Sequence, residues 1–548
     1  MDPNLFLRRP RRDMNLLHDL IQSTADRFDD LPALTFGSET LNYGALADRV
    51  SRFAAGLMAL GLARSERVAV YLEKREETVV CVFGTTEAGG VFVPINPLLK
   101  PDQVAYILRD CNVRVLVTSS ERWPLLEPSL IECKDLRHVV LTPAPQERAD
   151  IERPIHDWGN LLDAPPRAGH RVIDMDMAAI FYTSGSTGKP KGVVLSHRNL
   201  VMGAQSVASY LENTSTDTLL AALPLSFDAG FSQLTTAFHS GARVVLINYL
   251  LPKDVINALV SERVTGLTAV PPLYIQLAQL PWPPSIAAHL RYFANTGGHM
   301  PLATLNALRA KLPATKPYLM YGLTEAFRST YLPPEEVDRR PDSIGKAIPN
   351  AEILVLREDG TPCAPNEPGE LVHRGALVAM GYWDDPEKTA ERYKPLPGRE
   401  SGFVLPEIAV FSGDTVRMDD DGFIYFIGRR DEMIKTSGYR VSPTEIEEAI
   451  HGTQLVGEVA AFGVPHPSLG QGIVVVATPA GSTAVDEAML LAVCRTELPA
   501  FMVPARIEIR PGPLPRNPNG KIDRKTISIE FRDLFDTKNP TLAMEKSR

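Results

Sequence analysis

From Leu16 to about His170, apolar runs of strand length alternate with stretches of helical character, and this alternation restricts the fold more than any other feature. Leu46 to Gly61 reads as a helix, Val68 to Leu72 as a strand and Glu76 to Ala88 as a helix. Such a βαβ rhythm buries its apolar faces best as a parallel sheet covered by helices. The rhythm continues through strands at Leu219 to Leu225, Arg243 to Ile247, Gly266 to Val270 and Leu290 to Asn295. After about residue 350 the texture changes to short, glycine-punctuated strands of alternating polarity, Ala351 to Leu356, Gly369 to Arg374 and Gly422 to Phe426. These predict a small antiparallel barrel or sheet. Gly428 to Tyr439 is dense in charge and glycine, and beyond it Ser442, Thr444 and Glu445 open a helix of a compact α+β unit.

A chain of 548 residues exceeds what one hydrophobic core supports, which stops growing at roughly 250 to 300 residues. At least two domains follow, with a boundary placed near Asp431. Hydrophobic residues at 44% and charged residues at 22% indicate an ordinary globular protein. A net charge of -9 disfavours a nucleic-acid partner, whose electrostatic footprint is basic. Cys81, Cys111, Cys133, Cys363 and Cys494 show no CxxC spacing, which fits a reducing compartment and no structural zinc. Arg8, Arg9, Arg11 and Arg12 are followed by no apolar run, so no signal peptide is read. Apolar stretches such as Val68 to Leu72 and Ile473 to Thr478 are far shorter than the roughly 18 residues of a membrane helix, and a cytoplasmic location without an integral membrane segment is expected.

The strongest local signal is Phe181 to Gly192, a loop rich in hydroxyls and glycines between two apolar strands. Gly185 and Gly188 let backbone N–H groups approach an anion, Thr183, Ser184, Ser186 and Thr187 offer hydroxyl donors, and Lys189 and Lys191 supply charge. The spacing differs from that of a P-loop. A merely flexible loop is the plainer alternative, but it gives no reason for two lysines.

Tyr182 to Gly192 resembles the phosphate loop of the superfamily of AMP-forming acyl-CoA synthetases, luciferases and peptide-synthetase adenylation domains. Other motifs follow in that family's order: Tyr321-Gly-Leu-Thr-Glu325, Ser412-Gly-Asp414, Gly428-Arg-Arg-Asp431 and Pro515 to Lys521. The match covers about residues 15 to 530, and the exosortase-associated acyl-CoA ligase type is similar through the acyl region. The resemblance implies an α/β fold: a large domain over 1–430 of two helix-covered sheets plus a small β-barrel, and a smaller α+β domain over 431–548. It implies that ATP and Mg²⁺ drive formation of an acyl-adenylate from a small carboxylic acid, and that the acyl group then passes to CoA. The alternative acceptor is the phosphopantetheine of a carrier protein acting in trans on an amino or acyl substrate.

Site residues are carried over from the same resemblance. Lys521 bridges acyl carboxylate and phosphate, Thr324 assists at the α-phosphate, and Glu325 holds Mg²⁺. Tyr321, Gly322, Gly297, Gly298 and His299 line the adenine pocket. Asp414 and Arg429 hold the ribose. Asp431 is the hinge, and Lys435 and Gly438 meet the thiol arm after rotation of the small domain. The acyl pocket involves Phe227, Asp228, Gly230 and Thr296.

Plainer readings stand beside these. Asp414 fits a turn, Lys521 a solvated surface lysine, Tyr321 core packing and His197 a capping or packing role, while the acidic run before Gly422 reads as a hairpin turn. Leu223 to Gly230 departs from the fatty-acyl pattern, and Phe227-Asp228 is similar to the segment in which amino-acid-activating domains set an aspartate against the substrate amino group. Whether Asp228 does this or caps a helix stays open at this point. An adenylating enzyme without a thiol acceptor, or a non-catalytic nucleotide-binding regulator, are the readings from other classes.

Overall fold

The computed structural model describes residues 13–143, 153–183, 190–397, 406–429, 432–436, 439–467, 469–481, 485–517 and 520–535, apart from the side chains of Lys435, Tyr439 and Arg440. The βαβ rhythm becomes two large sheets. In the first, Met177–Thr183, Val91–Pro94, Arg67–Tyr71, Val113–Ser119, His138–Thr142 and Ile155–Asp157 run parallel, with Lys191–Ser196 antiparallel beside Met177–Thr183. In the second, Pro32–Phe36, Arg243–Leu246, Thr218–Ala221, Gly266–Ala269, Tyr292–Asn295 and Lys316–Tyr321 are parallel in that spatial order.

Helices Tyr43–Ala59, Glu76–Glu87, His197–Tyr210 and Asp228–Ser240 lie between the two sheets and share one core with them. That burial explains their sequences: Glu76–Glu87 is apolar on nearly every side because it has a sheet in front and helices behind. At the centre, Phe231 packs against Phe83, Phe92 and Phe181 with ring centroids 6.0, 5.0 and 5.7 Å away. Each of these rings is fully buried, and such burial stabilises the fold by roughly 1.5–3 kcal/mol per side chain. Separate cores cover the outer faces of the two sheets.

The strands after residue 329 continue the second sheet. Thr330–Leu332 pairs antiparallel with Lys316–Tyr321, and Ser343–Ala347, Ile424–Arg429, Ile408–Met418, Gly369–Gly375 and Ala351–Leu356 follow in order. Among the described residues this run is open, because its first strand is hydrogen-bonded to the parallel sheet rather than to its own last strand. Among the described residues no strand hydrogen bonds close the expected small barrel, since the only strand that pairs with Ala351–Leu356 is Gly369–Gly375. The acidic run before Gly422 is a hairpin turn. The Asp419 carboxylate accepts the N–H groups of Asp421 and Phe423, and Gly422 takes φ +81°.

The small domain has its own cores, all of whose residues lie beyond residue 433. Its sheet joins Tyr439–Val441, Ile434–Thr436, Gly470–Pro479 and Val456–His466, with Arg506–Ile509 parallel to Gly470–Pro479. Helix Pro443–Gly452 opens on a proline at its first position, and the Ser442 hydroxyl has no hydrogen-bond partner. The helix opens where the sequence placed it, with Ser442 in the N-cap position, and the fixed φ of Pro443 rather than a side-chain cap starts it. The boundary placed at Asp431 lies outside the described residues. Among those described, no helix is long and apolar enough to cross a membrane.

Candidate active site

The cleft lies at the carboxyl ends of the parallel strands, where strands of an open α/β sheet stop and loops diverge. Tyr321 ends Lys316–Tyr321, Asn295 ends Tyr292–Asn295, Thr183 ends Met177–Thr183, and Asp228 opens the helix that follows Thr218–Ala221. Of the phosphate loop, Ser184, Gly185, Ser186, Thr187, Gly188 and Lys189 lie outside the described residues. Its two ends are paired, Thr183 with Lys191.

Tyr321 and Asp414, far apart in sequence, meet: the Tyr321 phenol donates to Asp414 Oδ2. Asp414 Oδ1 is buried without a hydrogen-bond partner, and the Arg429 Nη1 stands 3.9 Å from it. Burial holds the Asp414 carboxyl above its ordinary range, against the opposing pull of Arg429 and the Tyr321 hydroxyl. A buried acceptor left open in this way is costly to folding and fits a ligand hydroxyl. Asp414 is held in place by its neighbour Ser412, whose Oγ accepts the Asp414 N–H and donates to the Leu371 carbonyl. Gly413 takes φ +70°, and a Cβ there would meet Arg392 Nη1 at 2.6 Å, so glycine is required for the arginine to pass.

Glu325 is half-buried, and its Oε1 accepts the Tyr382 hydroxyl at 2.7 Å. Lys191 lies over the Tyr382 ring at 5.1 Å. Partial burial, then Lys388 and Arg392, holds the Lys191 ammonium below its ordinary value, while Asp385 and Glu325 oppose them. Glu325 thus sits among cations, and a half-exposed carboxylate of this kind suits Mg²⁺, which usually reaches protein through one or two carboxylates plus substrate phosphates.

Thr324 and Asp228 also meet. The Thr324 hydroxyl donates to Asp228 Oδ1 at 3.3 Å, and Arg328 Nη1 reaches Asp228 Oδ2 at 3.3 Å. Arg328 is 3% exposed. No side chain caps this helix, so Asp228 serves as an ion-pair partner in its first turn rather than as its cap. Phe327 takes φ +53°, a strained value for a bulky residue, and its ring fills space that a Cβ on Gly203 would occupy at 2.4 Å. That turn aims Arg328 inward beside Asp228.

The remaining predicted residues are placed less uniformly. Gly297 has φ +75°, and the Asn295 amide donates to the Gly298 carbonyl at 2.9 Å. His299 points away from this turn to Glu448 of the small domain, Nε2 to Oε2 at 2.9 Å, while the Leu302 N–H donates to Glu448 Oε1. A Cβ on Gly322 would come 3.2 Å from the Arg328 Cα, so this glycine allows two backbone segments to approach. Gly230 packs against the Pro224 carbonyl, where a Cβ would stand 1.8 Å from the oxygen; its role is close packing. Thr296 is buried, and Phe227 is half-buried at the helix start. Asp431, Gly438 and the Lys435 side chain lie outside the described residues. His197 is buried, and its Nδ1 accepts the Leu17 N–H at 3.0 Å, which is a packing role.

Lys521 comes from the other domain on a tight turn in which Gly520 takes φ +77° and the Lys521 N–H donates to Asn517 Oδ1. Its ammonium lies within electrostatic reach of Asp228, Asp414, Arg429 and Glu432. The residue is exposed, and the surrounding protein, and then Arg429, hold its ammonium below the ordinary value. Sequence reasoning missed Arg328, Tyr382 and Arg392. Arg328 carried a signal: a lone charge in the otherwise uncharged run Ala326 to Leu332.

A cleft at the strand ends of two packed sheets, closed by a small lysine-bearing domain, is the architecture of an adenylate-forming enzyme. The chain belongs to the AMP-binding enzyme family, whose sequence model matches residues 21–383, with the AMP-binding enzyme C-terminal domain matching 445–521. A long-chain-fatty-acid–CoA ligase of Salmonella typhimurium is 30% identical over 96% of this chain and 97% of its own length. Tyrocidine synthase 3 of Brevibacillus parabrevis is 29% identical over 93% of this chain and 8% of its own length. The crystal structure of ATP-bound MatB from Rhodopseudomonas palustris superposes with a TM-score of 0.83 at 26% identity, covering 95% of this chain and 100% of that one.

Proposed function

We propose that this chain is an ATP-dependent, AMP-forming acid–thiol ligase that makes an acyl-CoA from a small carboxylic acid. The observation that carries the reading is the convergence of Asp414, Asp228 and Lys521, from three distant parts of the chain, on one cleft. In the first step the acid's carboxylate oxygen attacks the α-phosphorus of ATP, the bond to pyrophosphate breaks, and acyl-AMP forms. In the second the CoA sulfur attacks the acyl carbon, its proton is lost, and AMP leaves.

The open oxygen of Asp414 accepts a ribose hydroxyl, with Arg429 beside it. Tyr321, fixed by its bond to Asp414, presents its ring to adenine. Lys521 places positive charge between the acid and the α-phosphate, where negative charge builds in the transition state. Glu325 would hold Mg²⁺, which would supply positive charge against the phosphates. Lys191 and the loop before it bind the anion. Lys521 must then withdraw so that Gly438 admits the thiol arm, a rotation about Asp431.

An amino-acid substrate is disfavoured by charge. Asp228 already faces Arg328 and lies within reach of Lys521, so a substrate ammonium would find two cations and no spare anion. The testing experiment is acid-dependent pyrophosphate release with ATP and Mg²⁺, with and without CoA. Release with a non-amino acid, and acyl-CoA formed when CoA is added, is the expected result. Release confined to amino acids and indifferent to CoA would replace this reading with carrier-protein loading.

A further inference from the structure

Between the helix that Asp228 opens and the second sheet lies a small cavity, lined among others by Ser232, Gln233 and Thr236 of that helix, by Gly266, Thr268 and Met320 of the sheet, and by Arg328, the ion-pair partner of Asp228. It has room for little more than a water-sized group. Three of its lining residues carry a buried polar atom without a hydrogen-bond partner: Gln233 Oε1, Thr236 Oγ1 and Arg328 Nε. All three residues are at least 95% buried. The Gln233 amide is oriented by its Nε2, which donates to the Gly230 carbonyl at 3.1 Å, so its open end is an acceptor. The Arg328 Nε–H is an open donor, and the Thr236 hydroxyl can act either way.

Each such group costs roughly 1–3 kcal/mol when left unmade, and three such residues lining one cavity call for an oxygen-bearing occupant, a buried water or a substrate oxygen that displaces it. A fatty-acyl chain supplies none and would seal all three atoms away from water. The guanidinium of Arg328 is already balanced by Asp228, which favours a neutral oxygen group over a second carboxylate. At 1.5 Å rise per residue, Gln233 and Thr236 lie about 8 and 12 Å along the helix from Asp228, beyond the reacting end of the acid.

We propose that this cavity is the far end of the acyl pocket, and that it selects a carboxylic acid carrying a hydroxyl or carbonyl oxygen remote from the activated carboxylate. The proposal rests on the ligase reading above. The donor of Arg328 holds the substrate oxygen, and Gln233 accepts the proton of a hydroxyl.

The test measures acid-dependent pyrophosphate release over length-matched series from butanoate to decanoate: unsubstituted, ω-hydroxy, oxo and dicarboxylic acids. Hydroxy or oxo acids are expected to exceed the unsubstituted acid of equal length in kcat/KM by at least about tenfold. The near-isosteric variants Gln233→Leu and Thr236→Val should shrink that ratio toward one, with ATP still raising Tm as proof of folding. Equal or better turnover of the unsubstituted acids, a preference for dicarboxylates, or ratios untouched by both variants would overturn the oxygen-reading pocket while leaving the ligase intact. Pyrophosphate release with no acid at all would overturn both.

Discussion

Asp414 and Asp228 stand on the two sides of one cleft, both within reach of Lys521, and their surroundings differ in kind. Asp414 bonds to a neutral phenol, keeps one buried oxygen open, and has its nearest arginine, Arg429, partly solvated. Asp228 is paired with a buried guanidinium and a threonine hydroxyl. The Asp414 side therefore holds a carboxylate with one oxygen left open. On the Asp228 side the carboxylate has a structural partner, and the open polar atoms belong to Arg328, Gln233 and Thr236.

The largest expected effect tests what the two sides share. Lys521→Ala should lower adenylate formation by about 10²–10³-fold, the usual loss when one transition-state charge partner is removed. Its ATP-dependent rise in Tm should persist, because the nucleotide side is built by the other domain. Adenylation at the wild-type rate would sever Lys521 from both carboxylates.

Stability distinguishes the sides next. Arg328→Met leaves Asp228 with an uncompensated charge, and urea unfolding should show a loss of about 3 kcal/mol. Part of it should return in the double variant Arg328→Met with Asp228→Asn. On the nucleotide side, burial works against the Asp414 charge, so Asp414→Asn should cost little or no stability without ligand. It should instead raise KM for ATP by about tenfold, roughly 1.4 kcal/mol of lost binding. If Asp414→Asn unfolded the protein while Arg328→Met did not, the comparison would be inverted.

The remaining effect lies away from the cleft and shows only on acidification. Burial depresses the His197 pKa from 6.5 to about 4, so the folded protein keeps this ring neutral while the unfolded chain protonates it. A group of this sign contributes stability above the unfolded value that is lost as pH falls toward the folded one, by roughly 1.4 kcal/mol per pH unit. Tm should therefore fall between about pH 6.5 and 4, less steeply in His197→Gln than in the wild type. Parallel profiles would show that this histidine is not the group being protonated.

The nucleotide side was more legible in the sequence than the acyl side, for a physical reason. Holding phosphates and a ribose needs glycines, hydroxyls and charges packed into short loops, so Tyr321 to Glu325 and Ser412 to Asp414 stand out as motifs. The cavity proposed for the acyl end is assembled from one helix face, Ser232, Gln233 and Thr236, from strand residues such as Thr268 and Met320, and from an arginine nearly 100 residues after the helix. No spacing marks such a set. Gly230 shows a constraint no motif marks, since a Cβ there would stand 1.8 Å from the Pro224 carbonyl oxygen and only glycine can pack at that distance.

By itself the sequence determined the local periodicities, and with them the strands, the helices and a chain too long for one hydrophobic core. Those follow from burial of apolar faces at periods of two and 3.6 residues, which neighbours along the chain decide. Only the tertiary structure decided that the late strands extend a sheet, that His299 faces Glu448, and that Asp228 is matched by Arg328. Each of these depends on which distant group arrives to satisfy a hydrogen bond or a charge. That outcome is set by how the two sheets and the small domain pack, not by any one stretch of chain.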